Sequence, residues 1–270
     1  MKRRTGTCPA LILLVLSLSQ HFITKTESRN QFLQSNVGVD FNYARYDLGE
    51  LSDISGYLAG LHFDFYFKKP KSALAGIYFD GTWDAGPMCS QYDCCNCSDI
   101  RSDIRDYITS FHLGYNATTC DETRIFSPFL GLGFYFLSKA LKPCIIRYNY
   151  FNLYVPLGFE LQWDVKDDFA VGLNATYRLD AYTRLKPETP CIALCDKLKI
   201  KRSHGFKVEL PLMWQHTLCK RANVQTKVIP FFDWNKFGAT KEKTCYCIPF
   251  PIPEIKRWYI GIKVLLGFKF

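Results

Sequence analysis

The sequence predicts an all-β fold, a transmembrane antiparallel up-and-down β-barrel of ten strands. Three observations lead to this prediction. Ten segments alternate between apolar and polar residues, their connections are alternately short and long, and no run of about 18 apolar residues follows position 19. Because successive side chains of a strand point to opposite faces, these segments would build a wall with one apolar and one polar face.

The first four predicted strands cover residues 36–48, 54–68, 73–86 and 105–118. The second strand shows the pattern clearly. Its odd positions from Tyr57 to Phe67 are all apolar, whereas the even positions between them include Gly60, His62 and Asp64. This period of two predicts a strand, since a helix would place its apolar residues three or four positions apart.

The next four predicted strands cover residues 124–138, 148–164, 169–184 and 204–218. The seventh strand is the most regular. Its odd positions from Phe169 to Leu179 are apolar and face Gly172, Asn174 and Arg178 on the even positions. We therefore expect one face of this strand to contact lipid and the other to line the lumen.

The last two predicted strands cover residues 223–236 and 257–270. The ninth strand is ambiguous, because the adjacent Phe231 and Phe232 break the alternation. In the tenth strand every even position from Trp258 to Phe270 is apolar, and the opposite face carries lysines and glycines. A strand this apolar needs an apolar surface beside it, and we expect it to close the barrel against the first strand.

The lengths of strands and connections favour a barrel that crosses a membrane. Predicted strands of about 13 to 17 residues exceed the 9–11 residues that such a crossing requires. The connections after strands two, four, six and eight are short: KKPKS, CDE, VKDD and CKRA. The others are mostly longer and reach about 20 residues, so short turns share one rim and long loops the other.

The chain divides into three predicted parts. Residues 1–19 are expected to be a cleaved signal peptide, with a basic start, an apolar run at 9–19 that is too short to span a membrane, and a small-residue cleavage site at Ser17–Ser19. Residues 20–35 are expected to be a periplasmic lead-in, and residues 36–270 the barrel domain. Loss of three basic residues with the signal lowers the formal charge from +9 to +6.

The composition argues against several classes of function. The mild positive charge comes without a dense Lys/Arg stripe or a nucleic-acid-binding motif, so no nucleic-acid partner is expected. Nothing in the sequence calls for a cofactor. The mean hydropathy of -0.09 resembles that of a water-soluble protein, but alternating strands give the same average.

The final residues resemble a known assembly signal. Lys263, Phe268 and Phe270 fit the polar-x-Gly-x-x-aromatic-x-aromatic signal of bacterial outer-membrane β-barrel proteins, although Leu265 stands where glycine is expected. The resemblance implies a location in the bacterial outer membrane, reached after export. It also implies contact with outer-membrane lipids and lipopolysaccharide, and recognition by the barrel-assembly machinery through the last strand.

Eleven cysteines remain after the signal peptide, which indicates an oxidising compartment. Two of them, Cys120 and Cys219, are predicted in short turns about 15–20 Å apart by strand spacing, too far to pair with each other, which makes them candidates for periplasmic cross-links. Nine are predicted in the long outer loops as disulfide candidates: Cys89, Cys94, Cys95, Cys97, Cys144, Cys191, Cys195, Cys245 and Cys247. Because nine is odd, at least one of these thiols is free or bonded to another molecule.

The cysteine-rich loops have two further interpretations. The spacing of Cys94 and Cys97 is that of a zinc motif, but the second pair that a zinc site needs is absent, so no metal site is predicted. Heavy cysteine use is also similar to the disulfide-cross-linked envelopes of chlamydia-like bacteria. That resemblance implies intermolecular disulfide partners in the envelope.

Charged and polar residues are predicted to fill the lumen. Ten strands enclose only slightly more space than the eight that side chains just fill, so we expect a plug of ion pairs, with a narrow porin-like solute channel as the alternative. The inward residues are Asp40, His62, Asp64, Asp80, Asp84, His112, Glu160, Arg178, Asp180, Lys207, Glu209, Lys227, Asp233 and Lys263.

The expected function is structural or adhesin-like. The fourth and fifth loops are basic and would suit acidic host glycans, through Lys186, Lys197, Lys199, Lys201, Arg202, Lys241 and Lys243, followed by Lys256 and Arg257. Ten strands also describe the omptin-type surface proteases, and Asp84, Asp180 and His204 are predicted at the outer rim. No paired catalytic signature surrounds these three residues, so no enzyme is predicted.

Overall fold

The structure is a computed structural model that describes residues 32–47, 53–68, 74–90, 100–115, 117–118, 124–141, 146–188, 198–200, 203–219, 222–239, 244–245, 248–249 and 254–269. Ten long strands, β1 to β10, account for most of these residues. Their bounds are Phe32–Asp47, Asp53–Lys68, Leu74–Ser90, Ile100–Tyr115, Arg124–Leu141, Ile146–Lys166, Phe169–Glu188, His204–Glu209 continued by Leu212–Cys219, Ala222–Phe237 and Ile255–Lys269. Within the described residues no helix is long and apolar enough to cross a membrane.

The ten strands form a closed antiparallel ring. Each strand pairs with the next along the chain, and β10 also pairs with β1 from Lys269–Gln34 to Lys256–Asp47. Every long strand therefore has a partner on both sides, which removes the unpaired edges of an open sheet. The predicted up-and-down barrel of ten antiparallel strands is confirmed.

The strands are strongly tilted against the barrel axis. The register can be traced around the barrel by moving from Leu33 to its paired residue on β2, and from there to the paired residue on each following strand. After all ten strands this path returns to β1 at Arg45 and not at Leu33. A register offset of this kind corresponds to a tilt of roughly 35–45°. Because of this tilt, side chains at the same height in the lumen cannot be identified by aligning the strands end to end.

β8 is one strand with a short interruption. Before the interruption Glu209 pairs with Asn174 and Phe231, and after it Leu212 continues both ladders without a shift of register. The break occurs at Pro211, which has no N–H to donate to the ladder. Its carbonyl still accepts a hydrogen bond from the Gly172 N–H at 2.7 Å.

The apolar faces of the strands point outward. Leu132 on β5 is 70% exposed, and Val37, Phe41, Ile260 and Leu266 are also exposed. The ambiguous pair in β9 follows the same rule, since Phe231 is buried in the lumen whereas Phe232 packs outside against Phe206, with ring centroids 5.6 Å apart. The result is an apolar outer wall around a buried polar interior.

Aromatic side chains mark both ends of this apolar wall. Trp234 pairs with Trp258 near the outer ends of β9 and β10, and at the other end Phe169 packs against Trp214 with ring centroids 5.1 Å apart. Two such girdles flanking an apolar band are typical of barrels that cross a membrane, because aromatic rings prefer the interface.

Most strands extend further than the sequence predicts. β1 begins at Phe32, inside the predicted lead-in, and β7 continues to Glu188. β3 continues to Ser90, so Cys89 lies in a strand, paired with Ser55 and Arg101, and not in the predicted loop. Backbone pairing in these strands therefore continues beyond the residues whose alternation predicts a strand.

A charge on the outer wall should destabilise the barrel according to its depth. We expect Leu132→Arg, near the middle of β5, to lower the free energy of unfolding in phospholipid vesicles by about 2–4 kcal/mol. The control Asp164→Arg, at the exposed inner end of β6, should change it by no more than about 1 kcal/mol. Equal losses in urea titrations of the two variants would contradict a lipid-facing wall.

Candidate functional site

The lumen is the candidate site, and its outer third is closed by aromatic rings. We call Tyr46, Tyr135, Tyr150, Phe237 and Tyr259 the aromatic cap. The hydroxyl groups of Tyr46 and Tyr259 are 2.5 Å apart, and the Phe237 ring lies 5.6 Å from Tyr135 and 5.7 Å from Tyr150. All five are buried. They occupy inward positions near the outer strand ends, where the ring of strands brings them together.

Two buried arginines and one aspartate hold the cap from below. Arg257 is 0% exposed, lies 4.7 Å from the Tyr135 ring and 4.2 Å from the Tyr259 ring, and pairs with Asp233 at 3.1 Å. Arg178 forms a second ion pair with the same carboxylate oxygen. Asp233 thus compensates two buried guanidinium groups, and that of Arg257 also packs against two aromatic faces.

A second charge cluster lies deeper in the lumen. Lys263 of β10 and Lys207 of β8 both donate to Oε1 of Glu209, at 2.9 and 2.6 Å. β9 lies between these strands and presents Phe231, whose ring is 5.1 Å from the Lys263 ammonium. The lysine therefore reaches over a phenylalanine to a carboxylate two strands away.

Amide and carboxylate groups fill the inner third. Gln34 donates hydrogen bonds to Asn36, at 3.1 Å, and to Gln225. Asn36 in turn donates to Asp64. Asp64 also lies 3.9 Å from His62, whose Nδ1 is 2.7 Å from the Thr82 hydroxyl. These contacts join β1, β2, β3 and β9 across the inner end of the lumen.

Between these layers lies a cavity of about 50 Å³. A space of this size holds a few water molecules and no organic solute. Its lining is strongly charged and comprises Asp40, Asp80, Asp84, Glu160, Arg178, Lys207, Glu209, Asp233 and Lys263, together with neutral residues. Chemically, this arrangement offers a small polar chamber closed on its outer side by the aromatic cap.

Comparisons with known proteins identify the architecture. No family model and no curated protein matches the chain. Among solved structures, the outer-membrane protease OmpT of Escherichia coli aligns over 92% of this chain and 100% of its own, at 11% identity and a TM-score of 0.50. The fold is that of an outer-membrane β-barrel. At this identity the likeness shows the fold of the barrel alone.

Other solved structures with a similar architecture align less closely. The translocator domain of the autotransporter NalP from Neisseria meningitidis covers 99% of this barrel chain and 100% of its own, at 9% identity and a TM-score of 0.40. The outer-membrane protein OprG from Pseudomonas aeruginosa covers 89% and 96%, at 11% identity and a TM-score of 0.35.

The structure places most of the predicted lumen residues on the inner face of the barrel. Asp180 sits near the outer end of β7 and accepts a hydrogen bond from Thr183 at 3.0 Å. His112 pairs in the backbone with Tyr78 and Gly131, and its side chain lies outside the described part of the chain. Lys227 shares the inward face of β9 with Gln225.

The predicted rim residues do not come together. Asp84 is buried in the lumen beneath the cap. His204 points to the outer wall, with its ring 6.3 Å from that of Tyr177 and 5.4 Å from that of Trp234. The two side chains therefore lie on opposite faces of the barrel wall, and neither meets Asp180 in a catalytic pair.

The predicted basic surface is described only in part. Lys186 is exposed within β7, and Lys199 belongs to the short strand Leu198–Lys199 that pairs with Leu185 and Arg184. The prediction that Arg257 belongs to this surface is wrong, because its side chain is buried in the lumen. The other basic residues of this prediction lie outside the described residues: Lys197, Lys201, Arg202, Lys241 and Lys243.

The cysteines and the assembly signal are also described only in part. Cys219 ends β8, where it pairs with Ala222, so it lies in a strand and not in a turn. Cys245 lies in the short strand pair Thr244–Cys245 and Ile248–Pro249. Of the assembly signal, Lys263 faces the lumen and Phe268 faces outward. Outside the described residues are Cys94, Cys95, Cys97, Cys120, Cys144, Cys191, Cys195, Cys247 and Phe270.

Two features of the site are absent from the sequence predictions. The aromatic cap has a signal in the sequence, since Tyr46 and Tyr150 occupy inward positions where an aqueous pore would need polar residues. Arg257 has none, because its partner Asp233 lies on a neighbouring strand whose register the sequence does not specify.

Removing the carboxylate shared by two arginines should be costly. We expect Asp233→Asn to lower the free energy of unfolding by about 3–5 kcal/mol, because Arg178 and Arg257 would remain buried with their charge uncompensated. The control Asp53→Asn breaks the exposed pair with Arg45 and should cost no more than about 1 kcal/mol. Urea titration of both variants in vesicles measures the difference, and similar losses would contradict the buried network.

Proposed function

We propose that the protein is an integral component of a bacterial outer membrane, a closed barrel that carries its surface loops and conducts no solute. The observation that carries this proposal is the filled lumen. Tyr46, Arg257 and Tyr259 are fully buried at its outer end, and the cavity below them has a volume of only about 50 Å³. A barrel filled in this way serves as a rigid wall.

The outer surface supports the membrane location. Its apolar side chains would contact acyl chains, and charged side chains begin where the aromatic girdle ends, as Arg45 does beside Trp258. Exposed cations at that level include Lys256, which suits the phosphates of lipopolysaccharide. In this proposal a cleaved signal exports the chain, and the barrel-assembly machinery inserts it through β10.

The loop rim is the proposed interaction surface. On one rim the connections between described strands are short, with two residues at Asp167–Asp168 and two between β8 and β9. On the other rim, residues 189–197 and 250–253 belong to longer connections. Long loops suit the outer surface of a membrane protein. We place structural cross-links there, with the loop cysteines bonded to each other or to envelope partners as in chlamydia-like envelopes.

An open channel is the main alternative, and conductance separates it from a closed barrel. We expect no steady current steps when the folded protein is inserted in planar bilayers, because the cap and the charge clusters occlude the lumen. Heat-modifiable migration on gels verifies folding, and an open porin in the same bilayer verifies detection. Steady steps from the folded chain would overturn the closed-barrel proposal.

Acidic glycans are the proposed ligands of the loop rim. Basic residues of this rim, including the exposed Lys186 and Lys199 of the short strand, would hold sulfate or carboxylate groups through charge, and salt would screen that attraction. We expect retention of the vesicle-embedded protein on heparin to fall with salt, and the double variant Lys186→Glu, Lys199→Glu to weaken it. Lys166→Glu on the opposite rim is the matched control. Retention that is unchanged by salt or by the double variant would contradict glycan binding.

Proteolysis is not part of the proposal. The likeness to OmpT concerns the fold, and among the described residues Asp84, Asp180 and His204 are spread over both faces of the wall. His62 and Asp64 lie within 3.9 Å of each other, but both are buried deep in the lumen, where no polypeptide substrate can enter. Our proposal accordingly includes no enzymatic activity.

A further inference from the structure

Two aspartates converge on one glycine inside the barrel. Gly60 of β2 pairs with Asp40 of β1 on one side and with Asp84 of β3 on the other. A Cβ atom added to Gly60 would collide with Oδ1 of both aspartates, so the two carboxylates lean over the glycine towards each other. Glycine is required here because only its hydrogen leaves room for both groups.

Two polar side chains of β1 near this point, Asp40 and Asn42, have unsatisfied bonding capacity among the described residues. Asp40 is 0% exposed, and within the described part of the chain neither of its carboxylate oxygens has a hydrogen-bond partner. Asn42, two residues along the same inward face of β1, is also buried, and neither its amide oxygen nor its amide nitrogen has a partner there. A buried carboxylate without compensation is costly, so its retention points to a ligand.

The cavity beside these residues has an imbalance of charge. Among its described lining residues, six are acidic and three are basic. The basic ones already pair elsewhere: Lys207 and Lys263 with Glu209, and Arg178 with Asp233. Among the acidic lining residues, Asp40 of β1 has two carboxylate oxygens without a partner in the described part of the chain.

We propose that this point of the lumen is a binding site for a hard divalent cation, Ca²⁺ or Mg²⁺, held by the carboxylates of Asp40 and Asp84 and the amide oxygen of Asn42. Oxygen donors of this kind select such ions over transition metals. Within the described residues no three His, Cys, Asp or Glu side chains gather, so the neutral donors of the site are the Asn42 amide and water in the cavity. The bound cation would tie β1 to β3 across β2.

The site does not depend on the proposed role of the loops. A barrel that conducts solutes, or one that binds no glycan, could still hold the cation. Conversely, a closed barrel could lack the cation. The two proposals therefore fail in different experiments, conductance for the one and cation binding for the other.

Terbium luminescence and thermal unfolding test the site. The full chain is folded into lipopolysaccharide-free detergent micelles with excess EDTA, and Tb³⁺ is then added as a Ca²⁺ substitute. Because Tyr154 and Tyr259 line the cavity, we expect tyrosine excitation to give Tb³⁺ emission that excess Ca²⁺ displaces. Ca²⁺ in place of EDTA should raise the melting temperature by about 5 °C.

Asp40→Asn and Asp64→Asn form a matched pair of variants. Both replace a buried lumen carboxylate by its isosteric amide, but Asp64 already accepts a hydrogen bond from Asn36. We expect Asp40→Asn to weaken Tb³⁺ binding by at least about tenfold, to abolish the Ca²⁺ effect, and to melt at a higher temperature than the unsubstituted chain in EDTA. Asp64→Asn should keep both Tb³⁺ emission and the Ca²⁺ effect.

Three outcomes would overturn the site. The first is an absence of displaceable Tb³⁺ emission from the folded chain. The second is equal Ca²⁺ stabilisation of the chain and its Asp40→Asn variant, which would place the ion elsewhere. The third is loss of the Ca²⁺ effect in Asp64→Asn as well as in Asp40→Asn, which would mean that the effect does not depend on the site at Asp40.

Discussion

The structure depends on one constraint: every backbone N–H and C=O within the hydrocarbon layer needs a partner inside the protein. A sheet meets this requirement only when its first and last strands pair, and the continuous ladder between β1 and β10 provides that closure. Closure fixes an inside and an outside. The alternation of apolar and polar residues along each strand follows, because lipid surrounds one face and the lumen encloses the other.

The small circumference of ten strands then determines the interior. Side chains nearly fill the lumen, so each charge in it needs a nearby countercharge. Asp233 meets this need for Arg178 and Arg257, and Glu209 meets it for Lys207 and Lys263. Asp40 stands apart, since it is buried as deeply as Arg257 but has no protein partner among the described residues. Its isolation is informative because the arginines and lysines of these two clusters each have a carboxylate partner.

The sequence was sufficient to identify the strands and their faces, but not the interior. Period-two alternation is a local property, so even the final stretch around Lys263 and Phe268 could be assigned to lumen and lipid correctly. Strand ends were underestimated, as at Cys89, because the alternation stops where lipid stops. The ion pairs were not predictable, because the partner of Arg257 depends on the register between β9 and β10, which the sequence does not specify.

The two faces of the barrel wall are subject to different physical constraints, and neither constraint determines the function. Lipid imposes the outer face and packing imposes the inner one, so neither specifies what the loops bind. The likeness to OmpT at 11% identity fits this view, since it shows the fold of the wall alone. In this chain His204 packs into the outer aromatic wall and Asp84 into the lumen, so residues that lie close to the same rim in sequence serve the wall itself. What distinguishes this barrel chemically must therefore lie in its loops and in the few interior groups, above all Asp40, that packing alone does not explain.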